Sequence, residues 1–154
     1  MIAVLQRIKS AAVYADGELS GSAREGLYIL LGVLSGDSEE DAALLAEKIA
    51  KLRIFCDSEG KMNLSVTDVL GEAMVVSNFT LSANYAKGNR PDYFGAEKPQ
   101  RANELYEYFV ELLRKKISKV ETGKFGADMK TEMVTDGPVT IVMDSAVLAK
   151  RGRV

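Results

Sequence analysis

The chain has 154 residues, 47% hydrophobic and 27% charged, with twenty basic and twenty-two acidic side chains and a formal net charge of −2. That balance excludes a disordered chain and suits one domain, residues 1–154, large enough to bury a core without disulfide or metal staples. It also argues against broad wrapping of a nucleic-acid duplex, which needs excess positive charge, but leaves a small footprint on a nucleic-acid end open.

Histidine is absent and Cys56 is the one cysteine. Ser-His-Asp and Cys-His schemes, an imidazole base and the usual zinc sites are therefore excluded. No cofactor or metal is expected. A lone thiol excludes an internal disulfide and fits a reducing cytoplasm, and Cys56, with no imidazole to activate it, reads as a small core residue. The longest apolar run, Leu27 to Leu34, is too short to span a membrane, and Arg7 and Lys9 interrupt the first apolar segment, unlike a secretory signal.

Ile2 to Ile8 and Ala11 to Ala15 read as two strands, and Glu18 to Ser22 as a hairpin partner across the Asp16-Gly17 turn. The apolar run from Leu27 to Val33 predicts a strand buried on both faces. Asp37 and Ser38 are N-cap candidates for a first helix. Glu39, Glu40 and Asp41 occupy its positive first turn, and Ala42, Leu45, Ile49 and Leu52 form one apolar stripe. A turn at Asp57 to Gly60 precedes a short extended piece, Met62 to Leu64. Glu72 to Ser77 predicts a strand that Asn78 to Leu81 continues in alternation. Ser82 to Lys98 is long and irregular, the kind of stretch that often carries function. Within it, Lys87 to Pro91 reads equally as a phosphate contact or a plain surface loop. Pro99 opens a second helix with the stripe Ala102, Leu105, Phe109, Leu112 and Lys116. Lys119 to Thr122 reads as a strand, Gly123 to Met129 as a glycine-interrupted turn, and Lys130 to Thr135 and Val139 to Met143 as two closing strands. The end from Ser145 onward, with basic Lys150, Arg151 and Arg153, reads as a tail. The sum is an α+β fold: a mixed, strongly curled, barrel-like sheet with two long helices packed outside.

Several stretches carry two readings. Asp136-Gly137-Pro138 reads first as a hairpin turn, with Pro138 opening the next strand because it cannot donate to a ladder. Ser77-Asn78-Phe79-Thr80 reads either as local backbone satisfaction with Phe79 in the core, or as polar groups and free N–H groups at the mouth of a cleft. Arg7 reads either as half-exposed or as a buried guanidinium holding a carbonyl or a ligand.

Met1 to Arg7, Arg53-Ile54-Phe55, Gly60 to Leu64, Ser77-Asn78-Phe79-Thr80-Leu81, Gly123 to Met129 and Thr135-Asp136-Gly137-Pro138-Val139-Thr140, in that order, resemble the D-aminoacyl-tRNA deacylase family over nearly the whole chain. Asn78 stands where the family usually has glutamine, and Thr135 where it usually has asparagine. The resemblance implies a hydrolase acting on the ester between a D-amino acid, or glycine, and the 3′-terminal adenosine of tRNA. It implies backbone oxyanion stabilisation around Phe79 and Thr80, with Ser77 and Asn78 shaping the adenosine side and the substrate 2′-hydroxyl assisting. It further implies a homodimer in which each Gly137-Pro138 step, with a cis peptide, enters the partner's pocket and excludes L-side chains by clash. Val139, Thr140, Arg7, Phe125, Ala127 and Met129 complete the implied substrate-binding set, Arg7 as a brace for the Gly-Pro loop. The alternatives are a related deacylase of relaxed chirality acting on mischarged L-aminoacyl-tRNA, and a non-catalytic module that binds RNA ends.

Overall fold

A computed structural model describes residues 1–149. Its longest hairpin organises the sheet. Strand β1 (Ile2–Ala15) turns at Asp16-Gly17, both with positive φ, into β2 (Glu18–Ala23) and then β3 (Gly26–Gly32). β2 and β3 lie end to end against β1 in one antiparallel register, from Ile2 opposite Gly32 to Val13 opposite Gly21, with a shift only at Val13/Tyr14. The two strands expected at Ile2–Ile8 and Ala11–Ala15 are thus one, because polar Lys9 and Ser10 sit at exposed positions of a strand that keeps its partners.

β3 pairs in parallel with β6 (Glu72–Ser77), and β6 with β7 (Val120–Thr122). The β2 end of the hairpin curls round to β7, where Ser20 Oγ donates to the Thr122 carbonyl at 2.9 Å. The sheet is nearly closed as a result. A small ribbon, β4 (Phe55–Cys56) with β5 (Met62–Leu64), stands beside it. Strand β8 (Met129–Asp144) runs antiparallel along the other edge of β1 for its whole length, and among the described residues β1 is its one strand partner.

Alternation along β3 and β6 builds two apolar layers, as period 2 requires. Leu27, Ile29, Leu31, Ala73 and Val75 face the helices; Tyr28, Met74 and Val76 pack with Ile8 and Val13 on the other side. Helix α1 (Glu39–Lys51) buries Ala42, Leu45 and Ile49 as expected, starts at a Ser38–Asp41 capping box, and packs on α2 (Pro99–Arg114). On α2 the buried residue is Leu113; Leu112 is half-buried, and Lys116 lies past the helix, paired with Glu47. The stripe slips by one position because α2 also buries Tyr106 and Val110, widening its apolar face.

A short helix α3 (Ser145–Ala149) replaces the first part of the expected tail; the basic residues from Lys150 onward lie outside the described residues. Cys56 is exposed rather than in the core, because Phe55 takes the inward position of that two-residue strand. Among the described residues, no helix is long and apolar enough to cross a membrane and no metal-binding cluster of three or more His, Cys, Asp or Glu occurs.

One buried carboxylate joins three elements. Glu72, at the start of β6, accepts from the Arg24 backbone N–H at 2.7 Å, Arg24 Nε at 3.1 Å and Lys119 Nζ at 3.1 Å. Burial works to raise its pKa, but the Arg24 amide, Lys119 and the Arg24 guanidinium together hold it below the ordinary glutamate value. A carboxyl depressed in the folded state adds stability above its unfolded pKa, and that stability fades as pH falls through the folded value. Glu72→Gln is therefore expected to cost about 1–2 kcal/mol at neutral pH, lowering Tm by roughly 3–6 °C. Melting curves should show the gap to the native protein closing below about pH 4; a gap independent of pH would contradict this.

Candidate active site

β6 ends at Ser77, where the Asn78 N–H still reaches the Leu31 carbonyl at 2.8 Å. The expected strand continuation does not occur. Asn78 caps a single 3-10 turn, Phe79–Ser82, its Oδ1 accepting from the Thr80 N–H at 3.1 Å and from the Thr80 hydroxyl. A short amide side chain favours such local capping over strand continuation. The turn lies close over β3: a Cβ on Gly32 would stand 2.8 Å from Leu81 Cβ and 3.0 Å from the Asn78 carbonyl oxygen.

The turn leaves one donor free. Thr80 N–H is taken by Asn78, while Phe79 N–H has no partner among the described residues, as expected of the first amide of a helical turn. Phe79 itself is 62% exposed, not in the core, and meets Tyr93 edge-on with ring centroids 5.2 Å apart. Ser77 is half-buried and Thr80 exposed.

Gly123 to Met129 forms an adjacent wall. The Val75 carbonyl, two residues before Ser77, accepts from both the Gly123 N–H at 3.1 Å and the Tyr106 hydroxyl at 2.9 Å. Phe125 stacks obliquely on Tyr106 with centroids 6.0 Å apart, and Gly123 sits against Val76 and Met129. Ala127 is half-buried in the turn. A groove of about 290 Å³ opens here, lined by Asn103, Tyr106, Arg114, Thr122, Gly123 and Phe125 among others. Burial pushes the Tyr106 phenol far above its ordinary pKa, so it serves as a neutral donor. Asn103 Oδ1 is buried with no partner. Neither Asn103 nor Tyr106 stands out in the sequence, since on a helical stripe they read as flank and core.

The Gly-Pro step lies elsewhere. Both flanking runs follow β1, so the segment is not the hairpin turn that its Asp-Gly-Pro sequence favours. Gln6 pairs with Thr140 and Ile8 with Thr135, so Arg7 alone faces Asp136, Gly137, Pro138 and Val139. The surplus residues bulge from the sheet, with Gly137 and Pro138 exposed, Val139 half-buried, Thr140 exposed and the Gly137–Pro138 peptide cis. Gly137 has φ +146°, where an L side chain is strained, and a Cβ there would lie 2.3 Å from Val139 N.

Arg7 holds this bulge. Its Nη1 donates to the Ile54 carbonyl at 2.7 Å and its Nε to the Asp136 carbonyl at 3.2 Å, with Asp136 Oδ2 3.1 Å from Nε. Lys9 adds a second cation, 3.4 Å from the same carboxylate. The structure thus joins Ser77–Thr80 to the Phe125–Met129 wall, and Arg7 to the Gly137–Thr140 bulge. It does not join the two groups within one chain, because β1 and β3 stand between β8 and β6.

The family model for D-Tyr-tRNA(Tyr) deacylase matches residues 4–144. The chain belongs to that family. It is 50% identical over 146 residues to the D-aminoacyl-tRNA deacylase of Thermosipho melanesiensis, covering 94% of this chain and 97% of the relative. To the D-aminoacyl-tRNA deacylase of Persephonella marina it is 53% identical over 148 residues, covering 96% and 100%. Among solved structures it superposes on the c-Myc DNA Unwinding Element Binding Protein with TM-score 0.88 and 38% identity, covering 94% of this chain and 98% of the other. A probable eukaryotic D-amino acid tRNA deacylase, 16% identical with TM-score 0.81 over 93% and 98% of the two chains, shares the fold. Membership makes the chain a hydrolase of the deacylase class.

Arg7→Ala removes the only β1 side chain opposite the bulge. Charge-assisted bonds of this kind contribute about 1.5–3 kcal/mol each, so local opening should rise tenfold or more. Hydrogen–deuterium exchange is expected to accelerate at Asp136 to Val139 while β3 and β6 stay protected. Unchanged exchange at the bulge would show that the guanidinium does not hold it.

Proposed function

We propose that the protein, as one cytoplasmic domain, hydrolyses the ester between a D-amino acid, or glycine, and the 3′-terminal adenosine of tRNA, and spares L-aminoacyl groups. The observation that carries this reading is the turn at Asn78–Thr80 in a chain of this family. It presents the unpartnered Phe79 N–H, exposed at the end of β6, where a developing oxyanion is best met by a fixed donor. An aminoacyl ester is already activated, and its neighbouring 2′-hydroxyl can orient water, so a chain without histidine suffices. The groove beside Phe125 offers an aromatic wall for the adenine face.

Selectivity rests on a homodimer. β8 leaves a sixteen-residue strand edge without a partner among the described residues, with Val134 58% and Val142 71% exposed, a surface that favours pairing with a second copy. The Gly137–Pro138 bulge is separated from its own chain's Ser77–Thr80 turn by β1 and β3 and, being exposed, is available to a partner's. Rigid backbone opposite the α-carbon admits a hydrogen or an outward D-side chain and clashes with an L-side chain, without reading side-chain identity.

Parallel deacylation of D-tyrosyl-, L-tyrosyl- and glycyl-tRNA is the test. The D- and glycyl esters are expected to be cleaved and the L-ester spared; strong L-cleavage would overturn the steric filter, and protection of all three esters would make the protein a binder. Thr80→Ala should retain activity within about tenfold, because the hydroxyl is bonded to Asn78 and only orients the turn. Near-complete loss would instead mark Thr80 as a nucleophile.

A further inference from the structure

The loop after the active-site turn is more ordered, more aromatic and more cationic than a connection needs to be. Asn84 and Asp92 pair through both backbone amides, at 2.9 and 3.0 Å, and through Asn84 Nδ2 to Asp92 Oδ2 at 3.2 Å. Downstream, the Ser35 N–H reaches the Gly95 carbonyl at 2.9 Å and the Glu97 N–H the Val33 carbonyl at 3.0 Å, fixing the loop to the end of β3. In that frame Tyr85 is 79% and Phe94 91% exposed. Tyr85 and Tyr93 follow the two bridged residues, and Tyr93 continues edge-on to Phe79. Four exposed aromatic side chains, Phe79, Tyr85, Tyr93 and Phe94, therefore lie on the turn that carries the free Phe79 N–H and on the loop that follows it. Exposed rings gathered on a pinned loop mark an interaction surface.

The charges point the same way. Lys87 and Arg90 stand exposed at the loop's tip. Its carboxylates are engaged by backbone amides: Asp92 Oδ1 accepts from the Phe94 N–H at 3.3 Å, while Glu97 accepts from Gly36 N–H at 3.2 Å and Lys98 N–H at 2.8 Å. The outer surface is left aromatic and cationic on a chain whose net charge is −2. Rings for base faces and cations for the backbone are the combination that single-stranded nucleic acid requires.

We propose that the loop from Asn84 to Phe94 binds the unpaired nucleotides immediately 5′ of the terminal adenosine, stacking their bases on Tyr85 and Phe94 and meeting their phosphates with Lys87 and Arg90. This rests on the deacylase reading, because the strand must enter from the Phe79 side. It explains how a chain without a broad basic face engages tRNA: the footprint is a few nucleotides, and it is continuous with the catalytic turn.

The test compares D-tyrosyl-tRNA with 3′-O-D-tyrosyl-adenosine, which lacks those nucleotides, on the native protein and on Tyr85→Ala, Phe94→Ala and Arg90→Gln. Each aromatic substitution should lower kcat/KM for the tRNA by roughly tenfold relative to the adenosine ester. Arg90→Gln should reduce the salt slope of kcat/KM on tRNA by roughly 0.7, the value for one single-strand phosphate contact. Equal losses on both esters, or no loss on either, would overturn the loop's role while leaving the deacylase reading intact. Conversion to a slower-sedimenting species would also overturn it, by making the loop a contact between copies. Failure of the native protein on both esters would overturn the deacylase reading and this proposal together.

Discussion

The contact on which the architecture of the site depends is the one between Arg7 and the bulge of β8. A strand paired without interruption to β1 would carry Gly137 and Pro138 flat along the sheet. Instead one residue of β1 faces four of β8, and the excess chain is held in place by the guanidinium between Ile54 and Asp136. The cost of interrupting the ladder is offset locally, because the same side chain satisfies two carbonyls and pairs a carboxylate. Arginine suits the position where lysine would not, since its planar fork reaches the Ile54 carbonyl from one nitrogen and Asp136 from another.

A second constraint sets the turn at Asn78–Thr80. β6 is buried on both faces up to Val76 and must then leave the sheet. The Asn78 side chain makes that exit as a capped turn, and close packing over Gly32 holds it against β3. The free Phe79 amide is a consequence of how helical turns begin, so the proposed oxyanion donor would need no dedicated side chain. The aromatic loop continues from this turn and is tied back to β3 by its own carbonyl contacts. The candidate turn, the groove wall and the loop thus lie on the β6 side of the sheet, and the Gly-Pro bulge on the β8 side.

Much of this was legible in the sequence where local chemistry decides the outcome. The Asp16-Gly17 turn, the capping residues of α1, Pro99 at the start of α2 and the doubly buried β3 all follow from residue types and period. What failed depended on neighbours that no short window contains. Asp136-Gly137-Pro138 has hairpin chemistry, but the strands on either side share β1 as a partner rather than each other. Met133 to Val142 alternates well enough for two strands or one. Cys56 is small and apolar, yet Phe55 fills the inward position beside it. Phe79 reads as core by composition and is exposed because the strand ends at Ser77, short of the continuation to Leu81 that alternation implies. The candidate site residues rest on the order of six short motifs, a family resemblance, and not on any one spacing.

The central claim is that the bulge of one chain completes the turn of another. Mixed dimers test it most directly. One copy would carry Gly32→Val, which displaces the turn but leaves the bulge intact; the other would carry Gly137→Val, which distorts the bulge but leaves the turn intact. If the site is shared across the dimer, the mixed species contains one wholly intact site. It should then recover roughly half of the native D-specific deacylation although each parent dimer has lost it. Absence of recovery, with the mixed dimer folded and paired, would place bulge and turn in the service of the same chain and contradict the account.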